Sequence, residues 1–381
     1  MESLRLIAFQ CAQQSGLVFR MTFDYRRRRQ SVLGRLPEPA DGLLVVGVAN
    51  VRYLTGFTGD STWLLLSQTE AIALSDKRYA QQLAEECPDL TVRLRPVGGN
   101  LVELTAQVVQ ELGWQKLACP ADHIPHADWE QLGDKLREVA VLPVRGLVEA
   151  ERACKDPEEI ASIRHAITVA ERALLRWLET VRPTDTEKTL ADRLELLLRE
   201  EGAECGSFPV IVAADERAAH PHARPRRKPI GDCEVLLVDW GADCGYKSDL
   251  TRVFAGRTIS PRLRTAYQTV RQALERALAV LRPGIPACQV HETVLAALAD
   301  CGFGEYFLHS TGHGIGLEVH EQPILRPGNE QPLQPGMVLT IEPGLYFPEW
   351  GGVRLEQDVL ITNDGCELLS QFPCELQPLF R

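Results

Sequence analysis

The chain has 381 residues, 45% of them hydrophobic and 24% charged. This fits a soluble globular protein of two or three domains and excludes wholesale disorder, collagen-like repeats and a fibrous rod. Its 41 basic and 52 acidic residues give a formal charge of −11, which argues against nucleic acid or an anionic membrane as a partner held by net charge. No apolar run reaches the roughly 18 residues of a membrane span.

Eleven cysteines without a CxxC pair point to a reducing, cytoplasmic setting, with most thiols acting as small buried apolar groups. Near the start, Glu2 stands where a signal peptide carries positive charge, and the apolar stretch that follows is short. Residues 1–23 are therefore expected to be a disordered extension, with Met21 as an alternative start.

From 24 to 147 short apolar runs alternate with helical ones, which reads as a smaller α/β domain. Strands are expected near 43–48, 62–67, 71–75 and 91–97, and helices over Asp76–Cys87 and Leu101–Leu112. The run Arg26–Arg29 reads as a solvated helix face rather than a nucleic-acid contact.

A different regime fills 148–381. Asp156 is placed to cap a long amphipathic helix that starts at Pro157 and runs to about Val181. A helix over Thr186–Glu201 follows, then strands at 208–213, 233–241 and 246–254. Helices over Pro261–Leu281 and Ala287–Asp300 precede strands at 314–319, 337–342 and 352–361. This order reads as an α+β domain with two similar halves.

The segment Glu234–Phe254 is apolar, then turn-like, then apolar, the pattern of a β-hairpin. A three-residue loop over Asp243-Cys244-Gly245 sets Asp239 directly opposite Asp249, with Cβ atoms about 4.5–5.5 Å apart. Flanked by Val238 and Leu250, two such carboxylates cost several kcal/mol to bury ionised, and a cation between them resolves the conflict. The alternative is that Asp239 ends its strand at the surface and Asp249 caps a turn.

Near the carboxyl end, Val338-Leu-Thr-Ile-Glu342 and Val353-Arg-Leu-Glu356 again set one acid in each of two apolar strands, and Glu342 is expected to face Glu356. Four inward carboxylates match two divalent cations, of which Mn²⁺, Co²⁺ and Zn²⁺ suit the donor set. Between the pairs lie His309, His313 and His320. Three glycines from 312 to 316 disfavour a helix and favour loop then strand. His313, deepest among those glycines, is the expected ligand, which leaves His309 and His320 for substrate and proton work.

Taken together these segments resemble the creatinase/methionine-aminopeptidase metallopeptidase family, with its pita-bread fold, and especially its Xaa-Pro aminopeptidase and prolidase branch. The resemblance runs from about Asp24 to Leu369. It is carried by Asn50-Val-Arg-Tyr-Leu-Thr-Gly and Asp156-Pro-Glu-Glu-Ile, and by four metal-site blocks: VDWGADCGYKSDLTR, HSTGHGIGLEVHE, IEPGLY and GVRLEQDVLIT.

The resemblance implies a pita-bread catalytic domain behind a creatinase-like amino-terminal domain. It also implies a dinuclear site ligated by Asp239, Asp249, His313, Glu342 and Glu356, with Asp249 and Glu356 bridging two ions, most simply Mn²⁺. His222, rather than His220, matches a substrate-site histidine. His309 and His320 match further active-site histidines, and Arg354 an arginine beside the bridging glutamate. Two positions depart from the pattern: the hairpin between Asp239 and Asp249 is one residue short, and Gln357 replaces an aspartate.

The implied activity is hydrolysis of the bond between an amino-terminal residue and proline in a peptide substrate, by a cytoplasmic homodimer. Glu342 would carry the proton to the leaving nitrogen, His222 or the neighbours of His313 would stabilise the oxyanion, and His320 and Arg354 would orient the substrate. Phe208, Tyr346 and Trp350 are candidates for the proline pocket. The competing readings are a metal-free creatinase-like C–N hydrolase and a catalytically inactive peptide- or protein-binding module on the same fold.

Overall fold

The structure, a computed structural model, describes residues 23–380. The extension expected over 1–23 and the alternative start at Met21 therefore lie outside the described residues, Phe23 excepted. The chain divides into two compact units between Arg152 and Ala153.

The first unit is built on a six-stranded sheet in the order β4-β3-β2-β1-β5-β6. Its strands are β1 (Gly42–Val45), β2 (Trp63–Leu66), β3 (Ala71–Ser75), β4 (Thr91–Leu94), β5 (Lys116–Pro120) and β6 (Ala140–Val144). Leu65, Ile72, Leu74, Leu117 and Cys119 meet Val102, Leu104 and Val108 of the helix Leu101–Glu111 in one apolar core. Asn100 caps that helix by accepting from the Glu103 amide at 2.8 Å.

Two expectations fail in this unit. The apolar run read as a strand to 48 stops at Val45, and Val48–Thr55 is a helix that buries Val51 and Leu54. Arg28 and Arg29 are buried rather than solvated. The Arg28 guanidinium lies 4.2 Å over the Tyr53 ring and donates to the Tyr53 carbonyl at 3.2 Å, while Arg29 donates to the Leu54 carbonyl at 3.0 Å and pairs with Asp89. A four-residue charge run on a helix that packs on another helix must turn half its members inward, and here carbonyls and a ring receive them.

The second unit opens with α1 (Pro157–Thr180), which Asp156 and Glu159 start as a capping box. α2 (Glu187–Glu200) follows. A second helical pair, α3 (Pro261–Val280) and α4 (Ala287–Asp300), repeats the arrangement, each pair being joined by an Arg-Pro turn at 182–183 and 282–283. Each pair is followed by strands, as the two-halves reading requires.

The first half supplies a two-stranded ribbon of β7 (Cys205–Gly206) with β10 (Ala242–Asp243), and the strands β8 (Ile211–Ala214), β9 (Val235–Trp240) and β11 (Leu250–Ala255), which β19 (Gln377–Pro378) from the carboxyl end completes into a sheet in the order β19-β11-β9-β8. β9 is buried throughout because both of its faces are covered. Leu236, Val238 and Trp240 join the core of α1 and α2, whereas Val235 and Leu237 join that of α3 and α4. Asp239 continues the second face, where no apolar partner follows it.

The second half supplies a five-stranded sheet in the order β13-β12-β14-β17-β18. It contains β12 (His313–Gly314), β13 (Glu321–Ile324), β14 (Val338–Ile341), β17 (Gln357–Ile361) and β18 (Cys366–Leu368). A separate ribbon pairs β15 (Gly344–Phe347) with β16 (Gly351–Arg354). The strand expected over 314–319 is absent, since the chain turns after Gly314 with the Gly316 amide donating to the Glu318 carbonyl at 3.1 Å. The strand expected over 352–361 is two strands, interrupted at Leu355 and Glu356.

Candidate metal centre

The hairpin register differs from the expected one by two residues. Asp239 pairs with Thr251, not Asp249, and the loop is centred on Gly245, with Asp243 bridging to Lys247. Gly245 takes φ 90°, a left-handed conformation that side chains resist. A slip of two preserves side-chain parity, so Asp249 stays on the face of Asp239 as its diagonal neighbour. Thr251 takes the directly opposed position.

The second pair falls where a sheet breaks. Ile341 lies opposite Gln357 in one ladder and Gly344 opposite Arg354 in the next, so Glu342 and Glu356 meet across the gap. Their amides turn to other strands: Glu342 donates to the Thr311 carbonyl at 2.8 Å and Glu356 to the Thr251 carbonyl at 3.3 Å. That last bond joins the two halves at the site.

His313 is carried by the tight contact that the glycines permit. A Cβ on Gly312 would stand 1.9 Å from the Thr340 carbonyl oxygen. The His313 amide bonds to the Thr340 hydroxyl at 3.1 Å, and its ring Nδ1 donates to the Gly314 carbonyl at 3.1 Å. Burial, reinforced by His320, pushes its pKa down to about 4, so the ring is neutral at pH 7. Its Nε2 lone pair then faces Glu342 Oε1 at 3.5 Å and Asp249 Oδ2 at 3.7 Å.

A lone pair directed at two carboxylates is repulsive unless a proton or a metal cation lies among them. Asp249, His313 and Glu356 offer donor atoms that all lie within 4.8 Å of one another. Burial and the neighbouring acids push Asp249 and Glu356 well above the carboxylate range, and burial lifts Glu342 to about 7. Asp239 is also raised by burial, although Arg354 Nη2 donates to its Oδ2 at 2.5 Å. Its buried Oδ1 has no hydrogen-bond partner among the described residues. These observations fit residues built to hold cations.

Further side chains fix the acids. Thr251 Oγ1 donates to Glu356 Oε2 at 2.7 Å and accepts from Arg354 Nε at 3.0 Å. Asp358 Oδ2 accepts from the Asp249 amide at 3.3 Å. Neither Thr251 nor Asp358 stood out in the sequence, yet each lies two positions beyond an acid, Asp249 and Glu356, along the chain. Gln357 turns the other way, where its side-chain oxygen accepts from Arg252 at 3.1 Å and its nitrogen donates to Cys374 Sγ at 3.3 Å. The residue that departs from the family pattern therefore lies off the face that carries the acids.

Asp239, Asp249, His313, Glu342 and Glu356 line one cavity of about 530 Å³, together with His222, His309, His320 and Arg354. His220 is not on its wall. His309 is engaged at both nitrogens: Nδ1 meets the Ser310 carbonyl at 2.7 Å and Nε2 the Tyr346 hydroxyl at 2.7 Å, which itself accepts from Arg354 Nη1 at 3.0 Å. Of the three aromatic candidates only Phe208 reaches the wall. Tyr346 acts behind it through its hydroxyl, and Trp350 stacks on Phe347 with Arg262 over its ring. All ten described cysteines are free, and four are buried, fewer than expected.

Residues 161–363 match metallopeptidase family M24, and residues 37–154 match the Creatinase/Prolidase N-terminal domain. Over 337 residues the chain is 35% identical to "Uncharacterized peptidase YqhT" of Bacillus subtilis strain 168, which covers 88% of this chain and 95% of that one. It is similar to the solved Xaa-Pro dipeptidase from Bacillus anthracis, with TM-score 0.89 and 32% identity over 93% of this chain and 100% of that chain. It is also similar to the X-Pro aminopeptidase from Thermotoga maritima MSB8, with TM-score 0.83 and 31% identity over 92% and 99%. The catalytic unit has the α+β pita-bread fold, a creatinase-type α/β domain precedes it in the sequence, and the chain belongs to metallopeptidase family M24.

Proposed function

We propose that the chain is a dinuclear-metal peptidase that hydrolyses the bond between an amino-terminal residue and proline. The observation that carries this reading is the neutral His313 ring facing Asp249 and Glu342 inside a cavity walled by three buried acids, Asp239, Asp249 and Glu356, and the partly buried Glu342. The names borne by the similar structures supply the substrate class. Asp239, Asp249, His313, Glu342 and Glu356 would hold two divalent cations, with Mn²⁺ preferred over Co²⁺ or Zn²⁺. When bound, the ions supply a water acidified toward neutral pH and an electrophile for the scissile carbonyl.

The chain's own residues do the rest. Glu342 takes a proton at its carboxylate and returns it to the leaving nitrogen. Proline leaves as a secondary amine, so that delivery matters. His222 is on the exposed side of the wall, where it reaches a developing oxyanion. Arg354 is buried among Asp239, Thr251 and Tyr346, so it positions the acids rather than the substrate. His309 is likewise a positioning residue, and His320 keeps the substrate-orienting role. Phe208 with Val319 and Ile324 offers an apolar wall for the proline ring.

A homodimer in a reducing cytoplasm belongs to the same reading, and the free thiols support that setting. A metal-free hydrolase or an inactive binding module has no use for five intact ligand-type residues. The test is hydrolysis of Ala-Pro and Ala-Pro-Ala by stripped protein to which Mn²⁺, Co²⁺ or Zn²⁺ is restored. Turnover with about two ions per chain is expected; bound metal without hydrolysis above the blank would defeat the peptidase reading.

A further inference from the structure

Two arginines line the cavity, and they differ in what holds them. Arg354 is buried and donates to Asp239, Thr251, Tyr346 and the Pro221 carbonyl. Arg224 is exposed on the wall, and its guanidinium has no hydrogen-bond or ion-pair partner among the described residues.

The backbone beneath Arg224 is tied on both sides. Buried Glu187 accepts from the Arg226 amide at 2.8 Å and from the Ala214 amide at 2.9 Å. The Arg226 carbonyl accepts from the Lys188 amide at 2.9 Å, and the Arg224 carbonyl accepts from Arg217 Nη2 at 3.2 Å. Ala223 is buried and Pro221 and Pro225 flank the pair. The segment is thus fixed, while Arg224, a lining residue of the cavity, keeps an uncommitted guanidinium.

The other formal charges on that wall are Asp239, Asp249, Glu342, Glu356 and the engaged Arg354. A peptide whose terminal carboxylate enters the cavity meets repulsion from the acids and one open cation. The cavity, about 530 Å³, suits a ligand of dipeptide size. A guanidinium presents two parallel donors that match a carboxylate.

We propose that Arg224 receives the terminal carboxylate of the substrate, so that the site takes Xaa-Pro dipeptides with a free carboxylate in preference to amidated or longer peptides. This rests on the peptidase reading for its substrate class, and its test is kept separate from turnover.

The probes are the ketomethylene isostere of Ala-Pro, which has no scissile bond, and the carboxamide of that isostere. Calorimetric binding is measured on Mn²⁺-loaded wild type, Arg224→Ala and Arg224→Lys. Wild type should prefer the acid, and Arg224→Ala should lose roughly tenfold in affinity for the acid with the carboxamide unchanged. Arg224→Lys should recover part of the loss, and matched melting temperatures exclude misfolding as the cause. Equal affinity of the wild type for acid and carboxamide, an unaltered acid affinity in Arg224→Ala, or a parallel loss on both probes would overturn the assignment. Failure to hydrolyse Ala-Pro, with acid selectivity intact, would sink the peptidase reading and leave the carboxylate site standing.

Discussion

His313 points Nε2 at Asp249 Oδ2 across 3.7 Å while its Nδ1 is committed to the Gly314 carbonyl. The tautomer that faces the acids is therefore an acceptor, and the contact is unfavourable unless a proton or a metal cation lies between them. Asp249→Asn relieves the crowding of acids in stripped protein and removes a proposed ligand. Its stripped form should melt at or above the wild-type temperature, and the rise that Mn²⁺ gives the wild type should vanish together with activity. Thermal melts with and without Mn²⁺ check both parts; an unchanged Mn²⁺ response in the variant would contradict the ligand role.

Thr251 links Glu356 to Arg354 through one hydroxyl. Thr251→Val keeps the shape of the side chain and removes both bonds. Partners that orient metal ligands are typically worth about 10–100-fold in affinity or activity. A loss in that range is expected for metal affinity and kcat, and metal titration followed by steady-state kinetics reads it. Thr251→Ser should retain most of the wild-type value.

The Tyr346 hydroxyl is shared between His309 and Arg354 inside the protein. Tyr346→Phe leaves a buried imidazole nitrogen and a guanidinium N–H without that partner, at a cost of about 1–3 kcal/mol. Denaturant unfolding should show a loss of this size, with substrate KM little altered, because the ring does not reach the cavity. A large KM change with normal stability would place Tyr346 against substrate instead.

In the amino-terminal unit, burial opposes ionisation of Glu149, but hydrogen bonds from His123 and Asn50 outweigh it and hold its pKa down to about 2. An acid whose folded pKa is depressed binds fewer protons folded than unfolded below its ordinary pKa. Its stabilising contribution is present above about pH 4.5 and is lost as pH falls toward 2. Glu149→Gln should remove about 2 kcal/mol at pH 6 and flatten the acid limb of stability between pH 5 and pH 3. Parallel melting curves for the two proteins across that range would refute it.

Sequence patterning located the elements that hold the acids, and it did so because strand parity is local. Asp239 and Asp249 share a face under the expected register and under the observed one, since the two differ by two residues. What patterning missed came from contacts made at a distance. Arg28 and Arg29 look like solvated charge until Tyr53 and Leu54 bring a ring and carbonyls to them. Trp350 looks like pocket lining until Phe347 and Arg262 cover it.

Residue order alone marked the acids and histidines that come to line one cavity, and the shared face of Asp239 and Asp249, because alternation and glycine placement act over a few residues. Tertiary structure alone decided that Glu356 crosses to Thr251, that Arg354 serves Asp239, and that Arg224 stays unengaged. Those outcomes depend on where two sheets, about a hundred residues apart in the chain, come to rest against each other. No local propensity encodes that meeting; burial of the apolar faces around it does.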